Sequence, residues 1–411
     1  MPTRDRRLIF AAVAVRSFAS GFQSILLGLY LAGAGLDAVH IGAVLTAALA
    51  GTALLTLLVG LLADTLGRRL VLFLLALLTA VGGVAFALVP LFPVLLIVSL
   101  LGAINTTGKD RGHVAALEQA VLPDTCPPGQ RTQTFALYNI LSSLAAAAGA
   151  LFAGAPALLQ RWAGLQALPS YQAMFLLYAL LAALVGASYL GLSPAVEARP
   201  TAPRPRLFST VRSVRVVGGL AALFAVDAFG GGFIVQSMLA YWFHVRFGLS
   251  PEALGVLFFG TGVMNSLSFL VAARLADRIG LLNTMVFTHL PSNLLLMAIA
   301  VAPTVWVALV FLLLREGLSQ MDVPTRQSYT MAVVRPEERT AASSVTTLAR
   351  SMAQAVSPSI AGSLIQAAAL GAPFVIGGAL KVVYDVVLFL TFRRVRPPEE
   401  AMRKAPPSAQ E

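Results

Sequence analysis

From Leu8 to Leu390 one apolar stretch follows another, each of about twenty residues or more, the length that crosses a ~30 Å hydrocarbon core. At that depth a segment must satisfy its own backbone N–H and C=O groups, which leaves helices or a closed barrel. The sequence has no ten-residue alternation of barrel strands, so the stretches read as helices. Composition agrees: 58% of residues are hydrophobic and 11% charged, where a soluble domain carries about 25% charged. A net charge of +11 suits nucleic acid only when basic residues cluster on a soluble surface, and here they punctuate apolar runs. Cys126 is the single cysteine, and the four histidines form no ligand motif. The sequence therefore implies neither a disulfide, a metal nor a cofactor.

Hydropathy read against turn residues predicts helices over 8–34, 40–64, 70–90, 93–121, 131–158 and 169–193, then 215–244, 251–275, 281–302, 304–333, 339–366 and 373–394. An even number of crossings puts both termini on one side. Of the 29 basic residues only Arg161 and Arg246 fall on the opposite side, so the termini are expected in the cytoplasm and the chain in the inner membrane. Arg4, Arg6 and Arg7 ahead of an apolar run resemble a signal peptide, but that run is too long for a signal core. The expected organisation is a six-helix bundle over 1–193, a cytoplasmic Arg-Pro linker over 194–214, a second six-helix bundle over 215–396 and a disordered cytoplasmic tail over 397–411.

The halves repeat one another. Arg16, Phe18, Gly21, Phe22 and Tyr30 fall on Asp227, Phe229, Gly232, Phe233 and Tyr241, about 211 residues later. Gly42, Asp64 and Gly67 fall on Gly255, Asp277 and Gly280 at an offset of about 213. The fold class is an all-α membrane protein of twelve transmembrane helices in two pseudo-symmetric six-helix bundles. Transporters are commonly built this way, with the substrate at the repeat interface near mid-membrane.

The loop after the second predicted helix reads Gly60, Leu61, Leu62, Ala63, Asp64, Thr65, Leu66, Gly67, Arg68, Arg69, and resembles the signature loop of the major facilitator superfamily. A weaker copy, with Asp277, Arg278 and Gly280, follows the eighth helix. Thr65 stands where the family usually has a basic residue, and Leu281 and Leu282 replace the basic pair in the second copy. The resemblance implies gating residues: Asp64 meeting the eleventh helix near Arg339, Asp277 meeting the fifth near Arg131, with Gly60, Gly67, Arg68, Arg69 and Arg278 completing the loops. Exporters of the family often carry a Gly-Pro motif in the fifth helix. Here the run Gly149 to Gly154 lacks the proline, and small residues that let helices approach closely explain it equally well.

Ionisable residues at membrane depth usually face a cavity or one another and mark substrate or proton paths. The chain places Arg16, Lys109, Arg111, Arg315, Arg326, Arg350 and Lys381 there, with Asp110, Glu118, Asp227, Glu316, Asp322 and Asp385. Arg315, Ser319, Asp322 and Arg326 share one helical stripe, as do Arg111 and Glu118. Asp322 can pair with Arg326, and Lys381 with Asp385, each four residues apart. Pro324 should loosen the tenth helix. Arg16 and Asp227 occupy equivalent repeat positions with opposite charge, and either approach each other across the cavity, with Asp227 taking up a proton, or only fix packing. The substrate and proton candidates are Arg16, Gln23, Asp110, Arg111, Glu118, Asp227, Arg315, Asp322 and Arg326.

The reading is a monomeric secondary transporter exporting a small molecule by proton antiport, in contact with lipid and not with nucleic acid. The alternative is proton symport or facilitated uptake of an organic anion or amphipathic solute. An embedded enzyme would need a clustered nucleophile, base or metal set, and no such motif is present. A sensor would need a soluble signalling domain, for which neither linker nor tail has the length.

Overall fold

The computed structural model describes residues 2–108, 112–122, 131–197, 214–334, 339–367 and 369–393. Among them it is all helical. The first half comprises α1 (Pro2–Gly33), α2 (Ala38–Leu66), α3 (Arg68–Leu88), α4 (Phe92–Leu100), α5 (His113–Val121), α6 (Arg131–Phe152), α7 (Ala155–Ala163) and α8 (Ala167–Leu190), closed by a 3-10 turn at Pro194–Val196. The second comprises α9 (Val214–Gly232), α10 (Gln236–Phe247), α11 (Pro251–Ile279), α12 (Leu281–Ala300), α13 (Val305–Ser319), α14 (Asp322–Ala332), α15 (Arg339–Gln366) and α16 (Ala372–Phe392).

The predicted spans are all occupied by helix, and eight helical stretches among the described residues are long and apolar enough to cross a membrane by themselves. The fourth, fifth, seventh and tenth spans are each divided between two helices where one was expected, and local chemistry accounts for the breaks. Between α4 and α5 the backbone turns left-handed at Gly102 and Gly108, with φ of +74° and +64°. The α9 helix runs out in Gly230, Gly231 and Gly232, weak helix formers in succession. Between α13 and α14 the helix stops at Ser319 and restarts at Asp322, which places Pro324 in a first turn, where its missing N–H leaves no helical bond unmade. Likewise α6 stops at Phe152, and Pro156 opens α7.

The chain forms two compact units. The first unites 1–201 with 233–262 and 355–370, so α10, the start of α11 and the end of α15 pack with the first half. Small residues set these contacts. A Cβ on Gly149 would lie 2.0 Å from the Phe18 carbonyl oxygen, and one on Gly21 2.2 Å from that of Ala146, so α1 and α6 cross backbone to backbone. That use of Gly149 matches the packing explanation of its run. An aromatic core of Tyr30, Phe86 and Phe175 fills the space beside α3 and α8, with the Tyr30 hydroxyl donating to the Phe86 carbonyl. The linker's first residues are anchored rather than loose. Ser193 donates to Asp5 from its backbone N (2.9 Å) and its hydroxyl (2.5 Å), and Val196 is buried.

The second unit unites 202–232, 263–354 and 371–411. Its apolar core of Phe224, Met285, Tyr329, Tyr384, Leu388 and Phe392 joins α9, α12, α14 and α16.

Candidate functional site

Each unit buries a network of charges. In the first, Arg16 on α1 bonds Glu118 on α5 at 2.6 Å and the Tyr189 hydroxyl on α8 at 2.6 Å. Glu118, fully buried, also accepts from Tyr189 (2.6 Å) and from Tyr138 of α6 (2.7 Å). One carboxylate thus ties four helices, with both of its oxygens occupied by donors. Gln23, also on α1 and 1% exposed, has neither amide atom bonded among the described residues.

In the second unit Asp227 of α9 is the hub. Its Oδ1 receives Lys381 of α16 at 2.5 Å, and its Oδ2 receives Arg350 of α15 at 2.9 Å. Arg326 of α14 stands 3.5 Å from Oδ2 and is held at 2.6 Å by Asp322, one turn earlier on its own helix. The Arg326 guanidinium also lies over the Phe224 ring, 5.5 Å from its centre, a cation–π contact. His289 of α12 bonds Asp385 of α16 through Nδ1 at 2.8 Å and presents Nε2 to Asp227 at 3.7 Å. Asn293 donates to the other Asp385 oxygen at 2.8 Å. Gly230 and Gly231 clear the path of the Lys381 chain, since a Cβ on Gly230 would lie 3.1 Å from its Cγ. Arg326, Arg350 and Lys381 balance Asp227, Asp322 and Asp385 in formal charge. All are buried except Arg350, whose side chain is 28% exposed, so the network opens at a cation.

The predicted residues sort unevenly over this geometry. Asp322 and Arg326 pair as their spacing suggests. Lys381 and Asp385 do not pair as expected: their side chains are drawn to Asp227 and His289, because a buried charge takes whichever opposite partner the packing brings closest. Arg16 and Asp227 are each engaged within their own unit, Arg16 to Glu118 and Asp227 to Lys381 and Arg350. The stripe on the tenth span is divided by the break at 320–321, and Arg315 pairs with the adjacent Glu316. His289, Asn293, Tyr138 and Tyr189 belong to the networks and were not among the candidates. For the first two the available signal was a His and an Asn four residues apart in a span with no charged residue.

At the signature loops, Gly67 and Gly280 adopt φ of +98° and +92°, conformations that favour glycine, and each opens the following helix. Glu197 caps α3 by accepting from the backbone N–H of Arg68 (2.6 Å) and Arg69 (3.4 Å), a carboxylate at the positive end of a helix. A Cβ on Gly60 would meet nothing within 4 Å, so packing does not require glycine there. Asp277 and Arg278 are exposed. The expected contacts of Asp64 with Arg339 and of Asp277 with Arg131 fall on side chains outside the described residues, as do Asp110 and Arg111 altogether.

Helices with apolar exteriors and charges paired inside define a multi-pass membrane protein of the transporter class. The sequence profile of the Major Facilitator Superfamily matches residues 9–319 and 221–410, and the chain belongs to that family. An uncharacterized membrane protein of Saccharomyces cerevisiae is 26% identical over 95% of this chain and 94% of its own length. Among solved structures, a mutant form of the nucleoside transporter NupG superposes with a TM-score of 0.78 at 13% identity, covering 95% of this chain and all of that one. The human organic anion transporter MFSD10 superposes with a TM-score of 0.62 at 19% identity, covering 94% and 99%. At such identities the likeness is one of fold.

Proposed function

We propose that this chain is a proton-coupled secondary transporter that carries a small organic anion by alternating access, in a cytoplasmic membrane with both termini inside. The observation that carries the reading is the buried, charge-balanced network around Asp227, which opens at Arg350. A proton added to this set leaves one positive charge uncompensated in a poorly solvated place, at a cost of several kcal/mol. One anion at the open side offsets that cost. Proton and anion therefore favour each other's binding and travel together, which is symport. This sign of coupling favours the uptake alternative over export by antiport, where proton and substrate must compete. The fold shared with an organic anion transporter makes such a substrate reasonable. In the other unit Glu118 has both oxygens occupied by donors, so it serves as a fixed tie, while the unbonded amide of Gln23 is suited to contact a solute.

The test is purified protein in sealed liposomes with a pH dye inside, challenged with carboxylates, organic phosphates, amines and neutral solutes, wild type against Asp227→Asn. Acidification driven by anions and reduced tenfold or more in the variant is the expected result. Alkalinisation driven by amines would establish antiport instead, and solute entry without proton movement would leave a facilitator.

A further inference from the structure

The balance of the second network holds only while His289 is neutral. Asp385 has His289 Nδ1 at 2.8 Å from one oxygen and receives the Asn293 amide on the other. A carboxylate draws the ring proton of the neutral form to the nitrogen beside it, here Nδ1, which also has the Asn293 amide nitrogen at 3.1 Å, and so leaves the lone pair on Nε2, facing Asp227 Oδ1 at 3.7 Å. We propose that His289 is the seat of the coupling proton, taken up at Nε2 and matched by one monovalent anion. This rests on the reading of proton–anion symport given above.

The surroundings support the assignment. Against His289 lie Asp227 from α9, Asn293 from its own helix, and Asp385 and the edge-on Tyr384 ring from α16, and around Asp227 stand Arg326 from α14 with its partner Asp322, Arg350 from α15 and Lys381 from α16. Every carboxylate in this set already has a cation or an amide on it. Imidazole is the one group present whose ordinary titration lies between pH 5 and 8. A proton on Nε2 directs a new N–H at the oxygen that also receives Lys381. The imidazolium then shares Asp227 with Lys381 and Arg350 and loosens its hold on the cation at the opening. Release of the proton restores the closed ion pairs and expels the anion. The site takes one charge at a time, which sets the ratio at one proton per monovalent anion.

Two measurements decide it. Side-chain 15N NMR of the wild-type protein, with the His289 signal identified by its loss in His289→Gln, should show Nε2 passing from the lone-pair to the protonated form as pH falls from 8 to 5. A signal that keeps one form across that range overturns the proposal and leaves the transport reading standing. In liposomes, net proton movement driven by the anions that work on wild type should fall tenfold or more in His289→Gln. Wild-type proton movement retained in the variant also overturns it. Absence of proton movement from the wild type would instead overturn the coupled-transport reading.

Discussion

Glu118 and Asp227 are both buried carboxylates, yet their neighbours give them different work. Around Glu118 two tyrosine hydroxyls and Arg16 are fixed on three other helices, so its charge is held by geometry that does not depend on a ligand. Removing one partner of such a pair leaves an uncompensated buried charge, which costs about 3–5 kcal/mol, whereas removing both and filling the space with apolar atoms costs far less. Arg16→Met should therefore lower the thermal unfolding midpoint in detergent more than the double variant Arg16→Met/Glu118→Leu does. A double variant that unfolds at the sum of the single effects would show that the two charges do not act as a pair.

The elements begin and end where single residues dictate. Asp37 caps α2 by accepting from the His40 backbone N–H at 2.9 Å, and its Oδ1 also meets the His40 ring at 2.7 Å. These bonds, the backbone one foremost, hold the exposed Asp37 carboxyl below the usual carboxylate range. A depressed acid contributes stability above its unfolded pKa and loses it as pH falls through the folded value, so this contribution is present at neutral pH and fades below about pH 4. Asp37→Asn still caps the helix but does not titrate. Midpoints measured from pH 7 to pH 3 should show wild type above the variant at pH 7, with the gap closing on acidification. A gap constant across that range would mean that the carboxylate charge contributes nothing. At this scale much was legible in the sequence: run lengths, turn residues and Pro324 each mark features that the helices share. The splits at Gly102, Gly108 and Gly230 to Gly232 were not, because hydropathy averages over a break that keeps apolar residues on both sides. The partners of Asp227 were illegible for another reason. Lys381 and Arg350 lie more than a hundred residues away in sequence, and spacing along one helix can propose only local pairs such as Asp322 with Arg326.

At the scale of the whole molecule the internal repeat reappears as a pair of matching contacts. Gly42 of α2 and Gly255 of α11 are repeat counterparts, and so are α6 and α15, the fifth and eleventh spans. A Cβ on Gly42 would lie 2.5 Å from the Pro358 carbonyl oxygen of α15, and one on Gly255 2.6 Å from that of Ala150 on α6. The first contact is reciprocal, since a Cβ on Gly362 would fall 2.2 Å from the Ala38 carbonyl oxygen, and it is reinforced by Ser359 with Thr46 at 2.8 Å and by the Ala38 N–H with Gln366 at 3.2 Å. All of it lies inside one compact unit, so the seam is closed in this structure. The alternating access proposed above requires it to open in the other state, where the same glycines would face less crowding. A large side chain at either position should therefore disfavour the closed seam without harming the open one. With spin labels on the exposed Val39→Cys and Ser363→Cys in a Cys126→Ser background, wild type should give mainly the short distance. Gly42→Leu should move the population to the longer one by at least tenfold, a shift of about 1.4 kcal/mol or more in the equilibrium. Gly255→Leu should act in the same direction, because the repeat places it in the equivalent contact. An unchanged distance distribution in both variants would mean that the glycine seam does not govern which state the molecule occupies.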